Sequence, residues 1–343
     1  MNIETKRKMA AILQILQQSG NPVGSSLLAK KLKEIGINLK PRMIRNYLQA
    51  MDEAGFTENL GRRGRRITDR GRAEFESALV IDKVGLVVTR LDELAYSMDL
   101  DVTTQTGTVV LNISTVSASA LTMARPIMAK VMDAGLGMGW LAAIAGPGSV
   151  LGDFEVPSGK VAIGTVCSVT LNGALVKAGI PVISRFGGLL EYRAWKPLRV
   201  VHMISYDGST LDPLEIFIRG KMTQVLNTTR AGNGMIGASF REVPAAALAK
   251  VHEVTARLRE IGLGGVLAVG EPNQPLLDIP VRHGSAGLIV AAGLNPAAAL
   301  MEAGLDMDNA AMAVLYPFRK LIRVAGPARS RRLRRQQISS AQE

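Results

Sequence analysis

The sequence predicts an α+β fold in two parts: a three-helix unit with a hairpin over residues 1–80, then one mixed α/β domain over 81–316. Three observations point there. Up to Val80 the chain reads as helices with marked ends. Beyond it, short β-rich runs and helical runs alternate without a regular βαβ rhythm. Charge divides at nearly the same places: residues 1–80 hold 15 Lys+Arg against 8 Asp+Glu, 81–316 hold 18 against 20, and 317–343 hold 8 against 1. A near-neutral middle between basic ends directs any polyanionic partner to the ends. The third observation is the stretch Lys40 to Arg72, KPRMIRNYLQAMDEAGFTENLGRRGRRITDRGR, where a capped helix runs into an arginine-rich hairpin.

In chain order, Glu4 to Ser19 places Met9, Ile12, Leu13 and Leu16 on one helical face and stops at Gly20-Asn21-Pro22. Ser25 or Ser26 caps a second helix with Leu27, Leu28, Leu32 and Ile35 inward and Gly36 closing it. Pro41 suits the first position of a third helix, because the N–H it lacks would have no partner there. Gly55 suits the left-handed residue past its end. Within Pro41 to Ala54, Ile44, Leu48 and Met51 recur at i, i+4, i+7 and face a core, which leaves Arg42, Arg45, Asn46 and Gln49 outside. Phe56 to Leu60 and Arg65 to Thr68 flank Gly61-Arg62-Arg63-Gly64 as a hairpin, so Arg62, Arg63 and Arg65 sit at or beside its tip. A recognition helix followed by a basic hairpin is a winged helix-turn-helix, whose partner is double-stranded DNA. Thr68 to Ala78 leads out as a charged helix.

In the second part, Lys83 to Thr89, Gly107 to Thr115, Lys160 to Thr165, Leu198 to Ser205 and Gly264 to Val269 read as strands. Ala118 to Ala134 and Pro244 to Ile261 read as helices. An internal echo relates 166–179 to 289–304, each a strand, an Asn cap (Asn172, Asn295), a short helix and a terminal Ala-Gly. The residues from 317 form a basic tail expected to be disordered.

Composition narrows the function classes. The single cysteine, Cys167, excludes an internal disulfide and a cysteine-based zinc site and fits a reducing compartment. Met1 to Ser19 alternates charge with apolar residues, unlike a signal peptide. The uncharged run Ala134 to Gly152 carries six glycines and Pro147, so it reads as buried strand and turns rather than a membrane span. A cytoplasmic protein without membrane association is expected. His202, His252 and His283 lie far apart with no metal-binding spacing. Gly232-Asn-Gly-Met-Ile-Gly237 matches GxGxxG but precedes an extended segment, so it reads as a hairpin turn rather than a nucleotide loop. No catalytic constellation stands out, although an enzyme fused to a winged helix remains open, as does an RNA-binding regulator. The middle domain offers Thr165, Cys167, Ser168 and Thr170, then Arg185, then Ser209, Thr210 and Asp212, all polar groups in apolar segments. Hydroxyls and a guanidinium could hold a small anionic metabolite.

The segments AMDEAGFTENLGRRGRRITDRG, GTVVLNIS, GKVAIGTVCSVTLNGALVKAGIPVISRFGG, LDPLEIFI, GNGMIGASFREVPAAA and VAAGLNPAAALMEAG occur in this order, and through them the chain resembles the NrpR family from Lys6 to about Leu315. The resemblance implies a homodimeric repressor of nitrogen-assimilation or nitrogen-fixation genes that binds inverted-repeat operators and is released by 2-oxoglutarate, with no other cofactor. It also implies that 81–316 binds the effector and dimerises. The effector region then includes Thr165, Val166, Cys167 and Ser168 of the TVCS segment, with Arg185. Many members carry two copies of the regulatory domain where this chain has one, and the tail after Phe318 has no counterpart.

Overall fold

The computed structural model describes residues 3–19, 22–34, 37–82 and 86–324. The chain divides into two compact units after Leu86.

In the first unit, α1 (Ile3–Ser19), α2 (Ser25–Glu34) and α3 (Pro41–Glu53) surround a core that includes Ile12, Leu13, Leu28, Leu32, Ile44, Leu48 and Met51. Each of these burials contributes about 1.5–3 kcal/mol. Leu27 is half exposed, because the α2 stripe turns it away from the core, while Ile35 and Gly36 lie outside the described residues. The hairpin consists of β1 (Thr57–Asn59) and β2 (Arg65–Ile67), with a 3-10 turn over Gly61–Arg63 between them. Val23 adds a third, one-residue strand through a bridge to Arg65. Gly64 has a φ of 100°, and a Cβ there would stand 2.5 Å from the Val23 backbone. No other residue fits so close an approach. The Thr68 hydroxyl accepts from Gly71 N–H at 3.0 Å and starts α4 (Asp69–Asp82).

The second unit opens with α5 (Leu86–Ser97). This corrects the expected strand at 83–89: residues 83–85 lie outside the described set, and Val87, Leu91, Leu94, Ala95 and Met98 form one helical stripe buried in the core. There follow β3 (Thr108–Ser117), α6 (Leu121–Asp133), β4 (Leu141–Ala145), β5 (Val150–Leu151), β6 (Phe154–Glu155), β7 (Lys160–Val166), α7 (Val169–Lys177), β8 (Ile183–Arg193) and β9 (Lys196–Ser205). Then come α8 (Pro213–Arg219), α9 (Val225–Ala231), β10 (Gly234–Pro244), α10 (Leu248–Glu260), β11 (Val266–Val269), β12 (Ser285–Ala291), α11 (Asn295–Glu302), β13 (Met307–Pro317) and β14 (Ile322–Arg323). The GxGxxG stretch is not a hairpin turn. Gly232 ends α9 in the left-handed region and Gly234 opens β10, the reverse of the strand-to-helix order that a phosphate loop needs.

Two five-stranded antiparallel sheets run β13-β3-β7-β4-β14 and β11-β12-β10-β8-β9. Their orders expose an internal duplication. The run β3-α6-β4-β7-α7-β8 is repeated as β10-α10-β11-β12-α11-β13, and each run contributes its last strand to the other run's sheet. The central strands β3, β7, β10 and β12 are buried on both faces, hence their near-continuous apolar runs, while the edge strand β9 is largely exposed. The repeats match in detail. Cys167 N–H donates to Val110 C=O at 2.8 Å, and Ala292 N–H to Gly237 C=O at 2.9 Å. The Thr170 hydroxyl bonds both backbone groups of Val110, and the Asn295 amide bonds both of Gly237. The echo therefore aligns Thr170, not Asn172, with Asn295. Neither asparagine caps a helix as expected: Asn172 lies inside α7 and donates to the Ser184 hydroxyl, and Asn295 crosslinks to β10.

The fold continues beyond 316, which corrects the expected start of the tail. Phe318 is buried, Arg319 donates to the Thr104 and Gln105 carbonyls, and β14 pairs with β4 through Ile322 and Arg323. Residues from Ala325 lie outside the described set. Among the described residues, no helix is long and apolar enough to cross a membrane, and no His/Cys/Asp/Glu group could hold a metal ion.

Candidate functional site

Each unit holds one cluster of polar groups that its fold does not consume. In the first, α3 leaves Arg42, Arg45, Asn46 and Gln49 exposed opposite its buried stripe. Gln49 bonds Glu53 at 3.2 Å, a surface contact that water can replace. On the turn, Arg62 and Arg63 are exposed and have no acidic partner among the described residues. Arg65 differs: its Nε lies 2.8 Å from Asp52 at the end of α3, and both side chains are about four-fifths covered. Thr57 donates to the same carboxylate, so Asp52 ties hairpin to helix and Arg65 braces the two. Arg66 pairs with Glu58 across the strands at 2.8 Å. The face open to a polyanion is thus Arg42, Arg45, Asn46 and Gln49 with Arg62 and Arg63, and Arg65 stands behind it.

In the second unit the duplication brings the starts of α7 and α11 to one recess. Cys167, Ser168 and Val169 form one wall, and Gly293 and Leu294 the equivalent wall. Asn112 of β3, Tyr206, Asp212 and Leu214 before and at the start of α8, and Leu91 of α5 complete it. Over it lies a bulge of β13, where pairing with β3 slips between Ala310 and Val314 and Met312 has a φ of 50°. Three side chains from three elements hold this strained turn. Asn112 accepts from Met312 N–H at 3.1 Å, Glu215 accepts from Ala311 N–H, and Arg90 of α5 donates to the Met312 and Ala313 carbonyls. The enclosed space has room for about one water molecule.

The chemistry of the recess follows from burial. The Cys167 thiol is pushed up to about 11 by desolvation, so it is neutral and inert at physiological pH. Burial likewise raises the Asp212 carboxyl to about 6, against the lowering effect of the backbone N–H groups of Leu214 and Glu215 that it caps. Behind Ser168 stands Arg241 of β10, fully buried. Its Nη2 donates to the Ser168 hydroxyl at 2.9 Å and its Nη1 to the Ser239 hydroxyl at 2.7 Å. Desolvation lowers its pKa, yet an arginine stays charged, and an unpaired charge at this depth costs several kcal/mol.

Of the residues expected to bind an effector, Cys167 and Ser168 line the recess. Thr165 is buried in β7 with a hydroxyl that has no partner among the described residues, and it does not reach the recess wall. Arg185 is elsewhere, in an ion pair with the fully buried Glu242, which also accepts from Arg282 at 2.8 Å. The arginine that does approach is Arg241, which the sequence reading missed. The signal was present: a lone arginine inside the apolar run Ile236 to Val243.

A winged-helix unit joined to a larger α+β unit built around a polar recess is the plan of a regulator. Residues 84–323 match the model of NrpR regulatory domains NRD1 and 2, and residues 10–75 match the ribonuclease R winged-helix domain. A global nitrogen regulator NrpRI from Methanosarcina mazei is 32% identical over 94% of this chain and 99% of its own length. The global nitrogen regulator NrpR of Methanococcus maripaludis is 28% identical over 88% of this chain, which spans 52% of that protein. The crystal structure of a nitrogen repressor-like protein from Methanococcus jannaschii, 27% identical, superposes with a TM-score of 0.60 over 69% of this chain and 98% of its own. The chain belongs to the NrpR family of nitrogen regulators. Its relatives and the matched domain model are named as regulators.

Proposed function

We propose that this chain is a homodimeric repressor of nitrogen-assimilation or nitrogen-fixation genes, bound to inverted-repeat operators and released when 2-oxoglutarate occupies the regulatory recess. The observation that carries the DNA reading is α3, which buries Ile44, Leu48 and Met51 and leaves Arg42, Arg45, Asn46 and Gln49 for base edges and phosphates. A two-fold dimer would present two such helices to half-sites about one helical turn apart. The effector reading is supported by the family and by a recess that joins Ser168 and Cys167 to a buried guanidinium.

A closed recess gives the ligand something to do. Because it holds about one water, an organic anion has to part its walls, and one of those walls is the β13 bulge, where Met312 has a φ of 50°. That bulge is held by Arg90, and the next residue of α5, Leu91, lines the recess. Since α5 begins where the chain passes from the first unit to the second, a ligand that moves the bulge acts on the segment leading to the winged helix. Linkage then requires that the anion weaken DNA binding by the factor by which DNA weakens anion binding.

Arg45→Ala tests the DNA half. Operator affinity should fall by at least ~5-fold, the loss of a base or phosphate contact worth about 1–3 kcal/mol. Calorimetric affinity for 2-oxoglutarate should not change. Loss of both would mean that the substitution unfolds the chain, and loss of neither would remove α3 from the interface.

A further inference from the structure

We infer that Arg241 is the anion receptor of the regulatory unit, its guanidinium binding a carboxylate of a small organic acid held beside Ser168. This rests on the effector reading above and adds the residue and the chemistry that would recognise the ligand. Four observations converge on it. The side chain is fully buried, and its Nε–H has no hydrogen-bond partner among the described residues. Its only side-chain partners among the described residues are two neutral hydroxyls, Ser168 and Ser239. The nearby acids are engaged otherwise: Glu242, on the opposite face of β10, accepts from Arg185 and Arg282, and Asp212 caps α8. Finally, Ser168 forms part of the recess wall, so the guanidinium stands one hydroxyl behind the cavity.

A structural arginine in a core is normally matched by a carboxylate, because burial makes the lone charge costly. Among the described residues that match is missing, and the guanidinium keeps its Nε–H unbonded. A carboxylate is the ligand group whose two oxygens fit that fork and cancel its charge. The duplication sharpens the point. In register with Arg241 the other repeat has Ser114, and in register with Ser168 it has Gly293, where a Cβ would meet the Val166 carbonyl at 2.2 Å. The pseudo-symmetric recess therefore carries its charge on one side only and takes one anion per unit.

The test is calorimetric titration of the full-length protein with 2-oxoglutarate and with its two monoamides. Wild type should bind 2-oxoglutarate, and one of the monoamides should bind ~10- to 150-fold more weakly, the value of a hydrogen bond to a charged group. Arg241→Gln should lose a similar factor with 2-oxoglutarate while keeping its far-UV circular dichroism, and Arg241→Lys should recover part of it. Binding of both monoamides as tightly as the diacid would overturn the assignment, as would Arg241→Gln binding within about threefold of wild type. Should the glutamine variant fail to fold, the monoamide comparison on wild type decides. Wild type that binds no 2-oxoglutarate would take down the effector reading and this inference together, whereas normal binding that ignores Arg241 takes down only the inference.

Discussion

Asp212 sits on the recess wall with Ser168 and Cys167, and burial raises its carboxyl to about 6. The other ionisable groups beside it are Glu215, Cys167 and Tyr206, and Arg241 stands beside the last two. An anion in the recess repels the ionised carboxylate and tolerates the protonated one. Effector affinity should therefore be highest below pH 6 and decline as pH rises through and above it, by up to about tenfold per unit while a proton is taken up on binding. Calorimetry at pH 5.5 and 8 checks this, and Asp212→Asn, which keeps the cap, should flatten the profile. A flat profile in wild type would mean that the carboxyl does not feel the ligand. At this scale the sequence told half of the site. Cys167 and Ser168 stand out as polar residues in an apolar strand-to-helix segment. Arg185 and Arg241 are both single arginines in β-rich runs, and only the partner of Glu242 separates them. That partner is set by strand register, which spacing alone does not reveal.

Among the elements, the hairpin has the most specific requirement, a glycine at position 64 pressed against Val23. It was legible because Gly-Arg-Arg-Gly between two short β-prone runs has few other uses. What was not legible is the division of labour among its arginines: Arg65 braces α3 through Asp52 and Arg66 pairs with Glu58, while Arg62 and Arg63 have no acidic partner among the described residues. Replacing both with alanine should reduce the slope of log affinity against log salt by about 1.8 per bound subunit, at about 0.9 per phosphate contact. An unchanged slope in an anisotropy series would take the hairpin out of the interface. The start of α5 misled the reading because Val87, Val88 and Thr89 are β-branched. Their strand propensity yields to the apolar stripe that continues through Leu91, Leu94 and Met98.

For the molecule as a whole, the two-part α+β plan followed from texture and charge, while the architecture of the larger part did not. Its duplication left only the strand-helix-glycine echo in the sequence. Of the exchanged last strands, β13 pairs with partners more than 100 residues away, as in Met307 with Val116, and β8 with partners in β10 such as Tyr192 with Gly234. That exchange places the β13 bulge of one repeat over the α7 start of the other, so a ligand there touches both halves and α5 at once. The central claim is that this recess and the operator-binding face are thermodynamically linked. The direct measurement is fluorescence anisotropy of the full-length protein on a labelled duplex from its own upstream region, at fixed salt, with and without saturating 2-oxoglutarate. The account predicts tight binding that weakens by about 5- to 150-fold with the ligand, a coupling of ~1–3 kcal/mol. Tight binding that ignores 2-oxoglutarate would contradict it.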